Sequence, residues 1–98
     1  MVLLNTKNQV VKMVDVYTGS LNSSLVRVSE IFKEAVRVNA AAIIVAHNHP
    51  SGDPTPSRAD IDLTLKIQRI GEDLGITLHD HVIIGKGKHS SFKAMGIL

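Results

Sequence analysis

Apolar positions along this chain change their spacing in steps, and the steps divide it into elements. Val2-Leu3-Leu4 and the stretch from Gln9 to Tyr17 are apolar-rich runs separated by Asn5-Thr6-Lys7-Asn8. That pattern predicts an antiparallel hairpin of strands 2–5 and 9–17. Further on, Ile31, Phe32, Ala35 and Val36 fall on one side of a helix over 28–38, with Glu30, Lys33, Glu34 and Arg37 on the other. The run Ala40-Ala41-Ala42-Ile43-Ile44-Val45-Ala46 is unbroken by polar residues, as expected of a strand over 41–47 buried on both faces. After a loop punctuated by Pro50, Gly52, Pro54 and Pro56, Leu63, Ile67, Ile70 and Leu74 mark the inward stripe of a helix over 57–74. Arg58, Asp62, Lys66, Arg69 and Asp73 line its solvated side. Ile76 to Ile84 returns to the period of a strand, 76–84, and Gly85 ends it. A hairpin followed by alternating helices and strands predicts an α/β fold, a mixed sheet flanked by helices in one domain over 1–98.

Candidate chemistry sits where strand 41–47 gives way to the loop. Successive side chains alternate in an extended chain, so His47 and His49 project to the same side. Pro50 stops the strand and keeps His49 out of helical geometry. Asp60 lies three residues before Leu63, on the apolar stripe of the next helix instead of its charged side. An inward-facing carboxylate is costly unless a cation meets it, and a divalent metal held by His47 and His49 would do so. Two histidines, one carboxylate and an open position for water suit catalytic zinc. Ser57 with Asp60 three residues later also fits a capping box, in which both side chains serve backbone amides of the first turn. For Ser57 the capping and catalytic roles are compatible.

The stretch His47-Asn48-His49-Pro50, a short loop, Ser57 and Asp60 resembles the JAMM (MPN+) metalloprotease motif. More narrowly, His47 through Ser57 is similar to the signature of the RadC family. The similarity continues through Gly19-Ser20-Leu21-Asn22-Ser23, Ser29-Glu30-Ile31-Phe32, Asn39-Ala40-Ala41-Ala42, Asp80-His81-Val82-Ile83-Ile84-Gly85, Ser91-Phe92 and Gly96-Ile97-Leu98. The resemblance implies a cytidine-deaminase-like, JAMM/MPN-type fold and a Zn2+ ion on His47, His49 and Asp60. It further implies peptidase-type hydrolysis of a peptide or protein by zinc-activated water, with Ser57 donating to the developing oxyanion. The family also carries a historical DNA-repair label. JAMM enzymes use a glutamate just ahead of the first core strand as general base, and the matching position here would fall before Met1. The expectation is therefore a domain without that element, in which zinc binding is the firmer claim and turnover the weaker. A catalytically inactive interaction scaffold, or a DNA-repair-associated protein without direct base readout, is the alternative.

Other carboxylates and histidines suit plainer roles. Glu30 and Glu34 share a face with Lys33 and Arg37, the pattern of a solvated ion-pair face. Asp53, between Gly52 and Pro54, is ordinary turn chemistry. In His79-Asp80-His81, strict alternation places both histidines on one face and Asp80 on the other, beside Leu78 and Val82. The expected arrangement is a hydrogen-bonded polar patch near the sheet end, with Asp80 the residue suited to orient a ligating histidine. His89 is expected at the surface. The polar loop Thr18 to Ser24 fits a plain connection as well as a substrate-lining segment.

Composition narrows the partners. At 44% hydrophobic, 98 residues can build one core. No apolar run approaches the roughly 20 residues of a membrane helix, so no membrane partner is expected. Cysteine is absent, which rules out disulfides and thiolate ligands and is compatible with a cytoplasmic setting. A net charge of +2, scattered Lys and Arg, one Tyr and two Phe give little footing for nucleic acid, whose only support is the family label. The string His-Asn-His is not an HNH nuclease, whose letters refer to residues spread over a longer motif.

Overall fold

The computed structural model describes residues 1–19 and 22–98. Five strands form one mixed sheet: β1 (Val2–Leu4), β2 (Val10–Met13), β3 (Ala42–Asn48), β4 (Thr77–Ile84) and β5 (His89–Ser91). Their spatial order is β2-β1-β3-β4-β5, with β3 and β4 parallel and every other neighbouring pair antiparallel. Two helices, α1 (Val28–Arg37) and α2 (Arg58–Leu74), and a 3-10 turn at Ser23–Leu25 complete it. This is the α/β fold that the pattern predicts. Among the described residues, no helix is long and apolar enough to cross a membrane.

The β1–β2 turn is built by Asn5, whose Oδ1 accepts from the backbone N–H groups of Lys7 and Gln9, while Asn8 takes a left-handed φ of 58°. The second strand is shorter than the expected 9–17. Its pairing with β1 closes where Met1 and Val14 exchange backbone hydrogen bonds, and Val14 and Val16 then pack against the core as extended chain.

Register decides which side chains enter the core. Leu3 pairs with Ile43, and Ile43 with Leu78, so these three lie side by side on one face. They join Ile31, Phe32 and Ala35 of α1 and Ile67 of α2 in one buried cluster. The inward line of α2 runs through Asp60, Thr64, Ile67 and Gly71. The expected stripe was rotated by part of a turn from this line: Leu63 and Ile70 flank it, and Leu74 is half exposed. Gly71 explains the rotation, because a Cβ there would stand 2.3 Å from the carbonyl oxygen of Ile76. The helix meets the chain leading into β4 at that glycine. Val36, assigned to the buried side of α1, is likewise exposed. Along β3, only Ala42, Ile43 and Val45 are buried, so the strand is covered on both faces over its first half alone.

One irregularity changes the reading of β4. The register with β3 passes from Ile43–Leu78 directly to Ile44–Asp80, leaving His79 as an extra residue in a bulge. Alternation therefore restarts at Asp80. His81 and Ile83 share the face of Leu78, and His79 and His81 do not point together as expected.

Candidate metal centre

The histidines lie at the carboxyl end of the parallel pair β3–β4, where open α/β sheets place their sites. His47 follows Ile43 and Val45 on the helix-covered face of β3. His49 comes one residue after the strand, and its backbone N–H donates to Ile84 O at 2.9 Å. The loop after it is fixed to the β4–β5 hairpin, because Lys86 N donates to Gly52 O and Ser90 Oγ donates to Pro54 O. Gly85 permits this approach, since a Cβ there would fall 2.3 Å from Gly52 O. The loop returns the chain to Ser57, the N-cap of α2.

Ser57 and Asp60 form the expected capping box. Asp60 N donates to Ser57 Oγ at 3.0 Å, and Ser57 N donates to Asp60 Oδ2 at 2.8 Å. The box fixes the Asp60 carboxylate facing the two histidines. His49 Nε2 stands 3.0 Å from Asp60 Oδ2, and His47 Nε2 stands 3.3 Å from Asp60 Oδ1. One atom from each residue lies within 4.8 Å of the others. The structure thus gathers His47, His49 and Asp60 into one group that could hold a metal ion.

The hydrogen bonds around this group leave a place for a cation. His49 Nδ1 lies 2.9 Å from Asp53 O, which can only accept, so that nitrogen carries a proton. Its Nε2 then faces a carboxylate oxygen, and only a proton or a metal ion between them removes the repulsion. His47 Nε2 is buried without any hydrogen-bond partner among the described residues, as a nitrogen reserved for a metal would be. Burial pushes the His47 imidazole below its usual value against the pull of the Asp60 charge, which favours the neutral form that binds metal. For Asp60, burial raises the carboxyl, but hydrogen bonds from Ser23 and Ser57 outweigh it and hold it at about 2. It is a carboxylate at any pH where the histidines are free to ligate.

Several supporting residues escape pattern reading. Ser23 Oγ donates to Asp60 Oδ1. It belongs to the polar loop 18–24, of which Ser20 and Leu21 lie outside the described residues. Asn22 caps the 3-10 turn that presents Ser23. The signal was present in the turn composition of Asn22-Ser23-Ser24, though nothing in it pointed at Asp60. His81 is buried against His47, Thr64 and Phe92, where a polar patch at the sheet end was expected. Asp80 instead takes hydrogen bonds from Ser91 Oγ and the backbone N–H groups of His81 and Lys93. It braces β4 against β5 and the turn that follows.

The remaining candidates keep the plainer roles. Glu34 is held by Lys12 and Arg37, whose hydrogen bonds bring its carboxyl down to about 2. Asp53 Oδ1 accepts from the backbone and hydroxyl of Thr55, turn chemistry that holds its carboxyl low. His79 bonds to Asn8 near the surface, and His89 is exposed. A cleft of about 290 Å³ opens on the group, lined by Asn22, Ser23, Asn48, Pro50 and Ser57 beside the three ligand candidates.

An α/β domain with a histidine pair and a helix-borne aspartate converging at the end of its parallel strands carries a candidate metal site of the JAB class. The chain belongs to the RadC-like JAB domain family, whose model matches residues 1–97. It is 58% identical over 97 residues to a UPF0758 protein of Clostridium beijerinckii. To UPF0758 proteins of Clostridium botulinum it is 56% identical over 97 residues and 53% over 96. These alignments take in 98–99% of this chain but 42% of each relative, so the chain spans less than half the length of the curated relatives it matches. Family membership and the His-His-Asp group together suggest a metal ion at this site.

Proposed function

We propose that this domain is a zinc-dependent hydrolase of the JAMM type that cleaves an amide bond in a peptide or protein. The observation that carries this reading is the buried, unpartnered Nε2 of His47, set 3.3 Å from the Asp60 carboxylate and beside His49. His47, His49 and Asp60 would hold the ion, and an all-N/O donor set with two imidazoles suits zinc. Zinc bound there would polarise the scissile carbonyl and lower the pKa of a bound water to about 7.

The chain's own residues supply the rest. Ser57 Oγ accepts from Asp60 N, which leaves its hydroxyl hydrogen free to donate into the cleft. It is the group suited to meet an oxyanion. Asn22 and Asn48 offer amides along the cleft for the backbone of an extended substrate. Asp60 is the one carboxylate lining the cleft among the described residues, and both its oxygens are engaged. That observation favours, as the second reading, a metal-bearing interaction domain.

Elemental analysis of the purified chain beside His49→Ala tests the site. About one zinc per chain is expected in wild type and none in the variant. Stoichiometric zinc in the variant would overturn the site. Turnover is tested on a peptide library with zinc-loaded and chelator-stripped protein; cleavage that survives stripping would refute the zinc mechanism. A zinc-loaded chain that cleaves nothing would leave the interaction domain as the function.

A further inference from the structure

We infer that His81, held by Thr64, fixes which ring nitrogen of His47 carries the proton, and so presets His47 Nε2 as a bare, metal-ready lone pair. The inference rests on the metal-site reading above and assigns a positioning role to two residues behind it.

Three hydrogen bonds run in a line from α2 through β4 to β3. Thr64 Oγ1 lies 2.7 Å from Asp60 O and 2.5 Å from His81 Nδ1, and His81 Nε2 lies 2.7 Å from His47 Nδ1. The threonine has a single hydroxyl proton, so the line can run in only two directions. In one, Thr64 donates to the Asp60 carbonyl and accepts from His81 Nδ1–H. His81 Nε2 is then bare and accepts from His47 Nδ1–H, which leaves His47 Nε2 without a proton. In the other, Thr64 gives up the Asp60 carbonyl, which can only accept, and donates to His81 Nδ1; His81 Nε2–H then donates to His47 Nδ1, and the proton sits on His47 Nε2. That nitrogen is buried, and Asp60 Oδ1 at 3.3 Å does not meet it as an acceptor. The reversed line strands a buried donor. The forward line satisfies every donor and leaves one lone pair beside the Asp60 carboxylate, where a metal ion would meet both.

The fold holds this line rigidly. The bulge at His79 turns His81 inward. Phe92 stacks on its ring at a centroid distance of 4.5 Å and an interplanar angle of 17°. His81 is 1% exposed, so water does not compete for either nitrogen. Ligating histidines usually give their second N–H to a carboxylate, a carbonyl or water. Here the acceptor is a neutral imidazole, which selects the tautomer without adding negative charge behind the metal.

The test reads the tautomer directly. In metal-stripped, 15N-labelled wild type at neutral pH, two-bond 1H–15N correlation should show His47 protonated at Nδ1 and bare at Nε2. Thr64→Val removes the hydroxyl that anchors the line. It should give mixed His47 tautomers and weaken zinc affinity, measured against a competing chelator, by about 10–100-fold. Thr64→Ser keeps the hydroxyl and should restore both. A wild-type His47 protonated at Nε2 would overturn the inference, as would Thr64→Val with the wild-type tautomer and affinity. If Thr64→Val fails to fold, the wild-type spectrum decides alone. A wild type that binds no zinc would refute the proposed function, and the spectrum would still decide the direction of the line.

Discussion

His47-Asn48-His49 and His79-Asp80-His81 have the same spacing and belong to neighbouring parallel strands, one at the end of β3 and one within β4. In the first, regular alternation continues past the strand end, and both imidazoles face Asp60. In the second, the bulge at His79 breaks alternation. His79 goes to the surface and bonds Asn8, while His81 turns into the core behind His47. The first pair can share one ion; the second supplies one supporting residue and one surface residue. Spacing in the sequence proposes a pair, and strand register decides whether it exists.

The most direct way to break this comparison is to remove the bulge. Deleting His79 leaves Leu78 opposite Ile43 and Asp80 opposite Ile44, so straight pairing is restored and every side chain from Asp80 onward keeps its partner and its face. His81 stays behind His47, and Asp80 keeps Ser91 and Lys93. The expected result is a chain that still binds stoichiometric zinc, with whatever stability it loses coming from the straightened backbone of β4. A folded deletion variant without zinc would show that the bulge itself sets the site.

Acid separates the inward histidine from the outward one. Burial holds His81 at about 4, below its ordinary 6.5, with the charge of His47 acting in the same direction. Between those values the unfolded chain binds a proton that the folded chain refuses, so stability falls as pH falls from about 6.5 to about 4. The loss amounts to about 3 kcal/mol. Asp60, held at about 2 against an ordinary 3.8, adds a second loss in the window below that. Urea midpoints of the chelator-treated chain across pH would show both windows. A flat profile between pH 6.5 and 4 would mean that His81 is not buried neutral.

The same contrast explains how much of the molecule was legible in the sequence. Helix and strand periods gave α1, α2, β1, β3 and β4 within a residue or two. His47, His49 and Asp60 stood out because each sits against a strong pattern: a strand end, a proline, a carboxylate on an apolar stripe. What failed depends on contacts that no local period records. The three residues of β5, His89-Ser90-Ser91, are too few to alternate. Phe92 is a lone aromatic among small and polar neighbours, yet it is fully buried against His81. The inward line of α2 shifted because Gly71 packs on a backbone carbonyl, which makes a missing side chain the determinant. The bulge is a property of two strands together, and one strand read alone cannot show it.

The smallest expected effect falls on the outward histidine and gives the sharpest control. His79 is the extra residue of the bulge, and its half-buried side chain makes one hydrogen bond, to Asn8 Oδ1 at 2.9 Å, near the surface. His79→Ala keeps the residue count and hence the bulge, while removing the ring. Its stability should stay within about 0.5 kcal/mol of wild type, as surface substitutions usually do, and zinc content should not change. Deletion and substitution at one position would then agree on zinc, because neither the extra backbone residue nor its imidazole touches the site. Loss of zinc in His79→Ala would instead assign the ring itself to the site and restore the symmetry that the two pairs show in the sequence.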